Sequence, residues 1–295
     1  MRTVYLGTSD FAAGILGSLV RSGQAPALVL TRPDRPRGRG RKLASPPVAD
    51  RARELNLPLA QPESVNSDGA RAQIASADPE AVVVCAFGAL IKEPLLSDYP
   101  MLNVHPSLLP RWRGAAPIER AIMAGDAKTG VSIMRLTAGL DSGPVYVQAA
   151  LEIAPEATYG SLAIALQDLG AELLSGVLNG WPEPREQPET GVTYAEKITA
   201  EDRRLDPTRP AVELERIVRA LHPHIGAQLA LDGDELLGVH EARAQAGGEL
   251  APGALSLHGP RPRLGCAEGV LELVSVQPPG KRPMSGEDFV RGRRH

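Results

Sequence analysis

An amide and an imidazole stand two residues apart in Asn103-Val104-His105, at the end of an apolar run and directly before the loop Pro106-Ser107-Leu108-Leu109-Pro110-Arg111-Trp112-Arg113-Gly114. On a strand, residues i and i+2 share a face with Cα atoms about 6–7 Å apart, so one small reacting group can touch both side chains. The pair suits acyl transfer. The amide N–H of Asn103 can donate to a carbonyl oxygen as negative charge develops on it, and His105 carries the side chain that takes up and returns a proton near neutral pH. A third group should orient the imidazole. Asp141, in Gly139-Leu140-Asp141-Ser142-Gly143, is the candidate, because the flanking glycines let backbone and carboxylate approach closely. Such a set has the logic of a triad without a nucleophilic side chain, so the attacking group would come from the substrate. The plainer reading is a hydrogen-bonded polar pair at a strand end and an Asp in a turn. Arg111, Trp112 and Arg113 divide in the same way between a substrate wall and a surface stack. Spacing alone leaves both readings open.

Positioning these residues requires strands. Val4-Tyr5-Leu6, Ala27-Leu28-Val29-Leu30, Val82-Val83-Val84 and Leu102-Asn103-Val104 are short, apolar and bounded by turn signals, as central strands of a mainly parallel sheet are. Helical stretches lie between them. Thr8 and Asp10 are expected to cap the first, Ser45 to cap another with Pro46 at its first position, and a last long helix runs from about Tyr159 to Leu178. The alternation predicts a doubly wound, Rossmann-like α/β domain over residues 1–181. Ligands of such sheets bind at the carboxyl ends of the strands, where Asn103 and His105 fall. Pro182, Pro184 and Pro188 then interleave with Glu183, Glu186 and Glu189, opening a semi-rigid linker over 182–203. Residues 204–295 hold a helix near Ala211–Leu221 and short strand-like pieces at 228–231, 236–240 and 270–274 separated by glycine and proline turns, the pattern of a small β-barrel.

Composition narrows the function. A chain of 295 residues with 43% hydrophobic and 23% charged residues has ample material for a buried core. A net charge of −3 argues against a protein that coats nucleic acid generally. The cysteines, Cys85 and Cys266, make no disulfide framework or metal spacing, which fits a reducing compartment, and Cys85 in its valine run reads as a core thiol. His222 and His224 lack a nearby cysteine or carboxylate, so no metal is expected. The chain enters its first strand at once, without a secretory segment, and no apolar run approaches the roughly 18 residues of a membrane span. A cytoplasmic protein without a membrane partner is expected. Gly7-Thr8-Ser9-Asp10-Phe11 follows the first strand without the partner glycines, or the later acidic residue, of a dinucleotide site. Residues 32–42 carry Arg32, Arg35, Arg37, Arg39, Arg41 and Lys42 against Asp34 alone, among prolines and glycines that rule out a stable helix. The segment is either a solvated loop or a grip on a phosphate backbone, whose oxygens arginine forks match.

The block from Asn103 to Ile118, followed by Gly139-Leu140-Asp141-Ser142-Gly143, resembles the formyltransferases that use 10-formyltetrahydrofolate. The likeness runs from Gly7-Thr8-Ser9-Asp10-Phe11-Ala12 through the arginine loop to Thr193-Tyr194-Ala195-Glu196-Lys197-Ile198. The central block marks the family, while the arginine loop and the Thr193–Ile198 string mark its tRNA-directed members. The resemblance implies transfer of a formyl group from 10-formyltetrahydrofolate to the α-amino group of methionyl initiator tRNA, giving N-formylmethionyl-tRNA for translation initiation. Asn103 would stabilise the oxygen of the tetrahedral intermediate, His105 would carry a proton between the amine and folate N10, and Asp141 would orient His105. Ser107, Leu108, Leu109 and Pro110 would line the folate pocket, with Phe87, Gly88 and Leu90 beside the pterin, and no metal is needed. The arginine loop would grip the acceptor end of the tRNA. The C-terminal part would be an OB-like tRNA-binding barrel, and the protein a monomer. Leu221-His222-Pro223-His224-Ile225-Gly226 departs from a more aromatic stretch in that family, and residues 201–295 hold 13 basic against 14 acidic residues, so the barrel would meet tRNA through one face. Hydrolysis of formyl-folate, formylation of another amine, and a non-catalytic RNA-binding module are the alternatives.

Overall fold

The structure, a computed structural model, describes residues 1–37, 42–231 and 235–293, with Arg37 and Lys42 described by their backbone only. The chain forms two compact units: Met1–Gly114 with Thr129–Leu151 and Ala163–Tyr194, and Ala115–Lys128 with Glu152–Leu162 and Ala195–His295. In order the first elements are β1 (Thr3–Gly7), α1 (Asp10–Arg21), β2 (Leu28–Leu30), the antiparallel pair β3 (Arg35–Arg37) and β4 (Lys42–Ala44), α2 (Pro47–Glu54), β5 (Leu59–Ala60), α3 (Asp68–Ser76), β6 (Ala81–Cys85), α4 (Leu95–Asp98), β7 (Met101–His105) and β8 (Arg113–Gly114). After α5 (Pro117–Ala124) come β9 (Lys128–Arg135), β10 (Val145–Glu152), α6 (Tyr159–Gly180) and β11 (Tyr194–Ala195).

Seven of these strands make one sheet in the order β10-β9-β7-β6-β1-β2-β5. From β7 to β5 the neighbours are parallel, and β9 joins β7 antiparallel. This is the mainly parallel, Rossmann-like sheet that the strand–helix alternation predicts. Every residue of β1 and β6 is buried, which is why both read as unbroken apolar runs. Alternate side chains serve opposite faces. Val4, Leu6, Val82, Val84 and Met101 pack with Ile74 of α3 and Leu95 of α4. Tyr5 points the other way, donating from its hydroxyl to the Ala12 carbonyl of α1 at 2.7 Å. On that side Gly170 of α6 brings its backbone against Ile15, Val104 and Val131, where an added Cβ would already be tight at 3.2–3.5 Å. α6 is long and apolar enough by composition to cross a membrane, which no run of consecutive apolar residues suggested. Its Leu166, Leu174, Val177 and Leu178 are buried in this protein's own core.

Two helix starts differ from expectation. Ser9, rather than Thr8 or Asp10, caps α1, its hydroxyl accepting the Ala12 N–H. Thr8 instead donates to the Phe87 carbonyl at 2.7 Å and ties the end of β1 to the chain leaving β6. α2 begins at Pro47 with Pro46 as its cap, because Ser45 is occupied with Asp34 and Arg53.

The second unit holds α7 (Ala211–Leu221), β12 (Ala227–Ala230), β13 (Leu236–Gln245), β14 (Leu255–Ser256), β15 (Arg263–Gly265), β16 (Val270–Gln277), β17 (Met284–Ser285) and α8 (Gly286–Arg293). The strands pair antiparallel in the order β12-β13-β16-β15-β14, with β17 on β16. The C-terminal part is thus a small antiparallel β domain. Leu214, Ile217, Val218 and Leu221 of α7 close its core against Leu237, Val239, Leu271 and Leu273. α5 lies on α7, and its Arg120 forms a two-pronged ion pair with Asp202 at 2.7 and 3.1 Å.

Candidate active site

Parallel register sets Asn103 opposite Val84, so Asn103 and His105 share the face that Val84 and Met101 occupy, and Val104 faces α6. Asp141 meets both from the turn between β9 and β10, which is closed by the Arg135 N–H on the Pro144 carbonyl. The backbone of Asp141 is left-handed, with φ 43°. Its Oδ1 accepts from Asn103 Nδ2 at 3.2 Å, and its Oδ2 accepts the Gly114 backbone N–H at 2.8 Å. Oδ2 also lies 3.7 Å from His105 Nδ1. That separation exceeds a hydrogen bond, so the carboxylate faces the imidazole as a neighbouring charge. The other ring nitrogen, Nε2, lies 2.8 Å from the Trp112 carbonyl. A carbonyl only accepts, so this bond requires the proton on Nε2. The site is sheltered: His105 is 4% exposed and Asn103 9%.

The loop after β7 is held from two sides. Trp112, itself left-handed at φ 63°, donates its N–H to the Thr193 hydroxyl at 2.9 Å, and the Arg113 N–H reaches the Thr193 carbonyl at 3.0 Å. Arg111 lies over the Trp112 ring, 4.3 Å from its centre. Under the loop, the Ser132 hydroxyl of β9 donates to the Ser107 carbonyl at 2.7 Å and accepts from the Leu109 N–H and from Gln148. Gln148 also donates to the Leu109 carbonyl at 3.0 Å. Ser107 is fully buried, its hydroxyl donating to the Arg111 carbonyl. Leu109 is buried too, and Leu108 and Pro110 are half-buried. Ser107 therefore shapes the loop from inside.

Phe87, Gly88 and Leu90 follow the end of β6, next to β7 in the sheet. Phe87 is buried, Gly88 is left-handed at φ 70°, and Leu90 is 70% exposed. Of the basic segment, Arg32 is exposed, and Arg35 pairs with Glu63 at 2.6 Å, an acid far away in sequence. The side chains of Arg37, Arg39, Arg41 and Lys42 lie outside the described residues. Burial pushes the Cys85 thiol up to about 12 and raises Tyr5 well above the ordinary phenol range, so neither supplies a nucleophile at neutral pH. Among the described residues no group of three or more His, Cys, Asp or Glu could hold a metal ion. Sequence reasoning missed Ser132, Gln148 and Gln187, and singled out Thr193 only as part of the Thr193–Ile198 string, not for its hold on the loop. Ser132 carries the one usable signal, a hydroxyl inside an apolar strand that must find partners.

Residues 1–178 match the family described as formyl transferase, and residues 197–294 match the formyl transferase C-terminal domain. The chain is 44% identical to the methionyl-tRNA formyltransferase of Cereibacter sphaeroides strain KD131, over 99% of this chain and 96% of that protein. It is equally similar, with the same coverage, to the methionyl-tRNA formyltransferase of Halorhodospira halophila. Among solved structures, methionyl-tRNA formyltransferase from Clostridium thermocellum gives a TM-score of 0.61 at 15% identity, over 83% of this chain and 94% of that one. HypX from Aquifex aeolicus in complex with tetrahydrofolic acid gives 0.65 at 16% identity, over 98% of this chain but only 47% of its own length. At these identities the two structures speak for the fold alone.

Proposed function

The chain belongs to the formyl transferase family, and from that premise we propose that Asn103, His105 and Asp141 carry the reaction. The reaction is transfer of a formyl group to methionyl-tRNA, the activity named for relatives that match the chain almost end to end, with 10-formyltetrahydrofolate as the donor. The observation that supports the residue roles is the convergence of Asn103 and His105 on one carboxylate at the carboxyl edge of the sheet.

The methionyl amine attacks the formyl carbon, a C–N bond forms, and the bond from that carbon to folate N10 breaks. Asn103 has two amide N–H donors. One is spent on Asp141 and fixes the amide, leaving the other for the carbonyl oxygen as it turns negative. His105 takes the proton that the amine must lose and returns it to N10. The Nε2–H bond to the Trp112 carbonyl orients the ring and leaves Nδ1, on the Asp141 side, as the nitrogen that takes up the proton. Asp141 opposes the positive charge that His105 acquires. Leu108, Leu109 and Pro110, with Phe87, Gly88 and Leu90, would seat the folate, and Ser107 would act from inside the loop; the Ser132–Gln148 brace supports this by fixing the loop in advance. Arg32, Arg35, Arg37, Arg39, Arg41 and Lys42 would take the acceptor end of an initiator tRNA. In this reading residues 1–181 are the catalytic domain, 182–203 the linker, whose stretch up to Tyr194 packs with the first unit, and 204–295 the tRNA-binding domain of a cytoplasmic monomer.

The test is formyl transfer from 10-formyltetrahydrofolate to methionine-charged initiator tRNA, with uncharged tRNA as control. Product with charged tRNA alone, abolished by His105→Ala while tetrahydrofolate still binds, is the expected result. Formate released without tRNA would mean a hydrolase, and no consumption of formyl-folate a binding module. Near-normal turnover by His105→Ala would end the proton-transfer role.

A further inference from the structure

Asp141 works from a left-handed turn, and the group that holds this turn comes from 46 residues further along the chain. Gln187 donates from Nε2 to two carbonyls of the turn, Asp141 O at 2.8 Å and Gly143 O at 2.7 Å. Its Oε1 accepts from Arg113, from Nε at 3.0 Å and from Nη2 at 2.7 Å. The next residue, Gly114, supplies the N–H that holds Asp141 Oδ2. One amide therefore closes a ring that runs from the Arg113 guanidinium through Gln187 to the Asp141 backbone, and from the Asp141 carboxylate back to Gly114. Gln187 is itself anchored. Two residues before it, Arg185 exchanges backbone bonds of 2.8 and 2.7 Å with Val145 at the start of β10.

We infer that Gln187 is a positioning residue for formyl transfer, acting through Asp141, an inference that rests on the role proposed for Asp141 above. The bond set specifies glutamine. Two carbonyls need two donors, the guanidinium needs an acceptor, and only a side-chain amide of this length supplies both from one planar group. Glutamate keeps the shape and the acceptor but sets an oxygen against two carbonyl oxygens, which releases the turn. The carboxylate would then lose its fixed place between Asn103, Gly114 and His105. Such a displacement lowers the rate of the chemical step while leaving the seats of both substrates in place.

The experiment compares the full-length parent, Gln187→Glu, Asp141→Asn and the double variant in single-turnover formyl transfer to methionine-charged tRNA. KM for each substrate, tetrahydrofolate affinity and the thermal midpoint are measured alongside. Gln187→Glu should lower kcat by about 10–10², the cost of a small misplacement in a catalytic site, with both KM values and tetrahydrofolate affinity little changed. In the Asp141→Asn background the same substitution should cost nothing further, because it acts through the carboxylate already removed. A loss that persists undiminished in that background would overturn the inference, as would a normal rate for Gln187→Glu beside a slow Asp141→Asn, which leaves the role of Asp141 standing. A normal rate for Asp141→Asn would remove that role and the inference with it. Should Gln187→Glu fail to fold, Gln187→Met, uncharged and of similar length, decides by the same comparison.

Discussion

Two carboxylate oxygens at Asp141 serve an amide, a backbone N–H and an imidazole, so substitutions around it should not cost alike. Asn103→Ala removes a donor whose value rises as the carbonyl oxygen becomes negative. It should lower kcat by about 10²–10³ with little change in KM, checked by steady-state kinetics with both substrates varied. A rise in KM at constant kcat would instead assign Asn103 to ground-state binding. The chemistry of Asn103, His105 and Asp141 was legible in the sequence because an amide, an imidazole and a carboxylate carry their reactivity in any fold. Gln187, Thr193 and Gln148 were not. They act on backbone carbonyls and N–H groups, and nothing in their types or spacing says which carbonyl a fold will bring to them.

Elements were legible where one physical signal dominated. The buried runs of β1 and β6 and the amphipathic face of α7 fall where the apolar pattern sets them. Helix starts slipped by a residue because Thr8, Ser9 and Asp10 are all good caps, and Pro46 and Pro47 can each open a helix. Two glycines test how tightly the elements constrain the site. An added Cβ at Gly143 would lie 2.1 Å from the Arg135 carbonyl, a backbone atom that cannot swing away. Gly143→Ala must therefore open the turn that carries Asp141, and should reduce both the thermal midpoint and turnover. At Gly176, inside α6, an added Cβ meets nothing within 4 Å. Gly176→Ala should stabilise the protein by about 0.4–1 kcal/mol through the unfolded chain and leave activity intact, as denaturant unfolding of the two variants beside the parent would show.

At the scale of the whole molecule, each unit is assembled from separate stretches of the chain, which periodicity could not reveal. α5 follows the loop of the candidate site by two residues, yet its apolar face belongs with α7, about ninety residues on. An amphipathic pattern says that a helix has a face to bury, and not in which core. Arg120 ties α5 to the stretch of chain ahead of α7, through Asp202 and the Glu196 carbonyl. Its bonds hold the Asp202 carboxyl below the usual carboxylate range, helped by Thr199. A depressed folded value means stability present above the unfolded value near 4 and lost as pH falls through the folded one. Arg120→Ala should cost about 1–3 kcal/mol at neutral pH, and the gap to the parent should narrow in acid, measured by amide exchange in the second unit. Charge poses the last question at this scale. A chain of net charge −3, with 13 basic and 14 acidic residues over 201–295, has no general attraction for tRNA. Its surplus of positive charge is local, five arginines and a lysine over residues 32–42 against one aspartate. If this segment holds phosphates, replacing Arg39 and Arg41 by alanine removes counterion release along with affinity. The slope of log affinity against log salt should fall by about 0.7–0.9 for each phosphate that is no longer neutralised. If the segment serves binding alone, formyl transfer at saturating tRNA should keep its rate. Weaker binding with an unchanged slope would mean that the segment acts by shape and that the phosphates are held elsewhere.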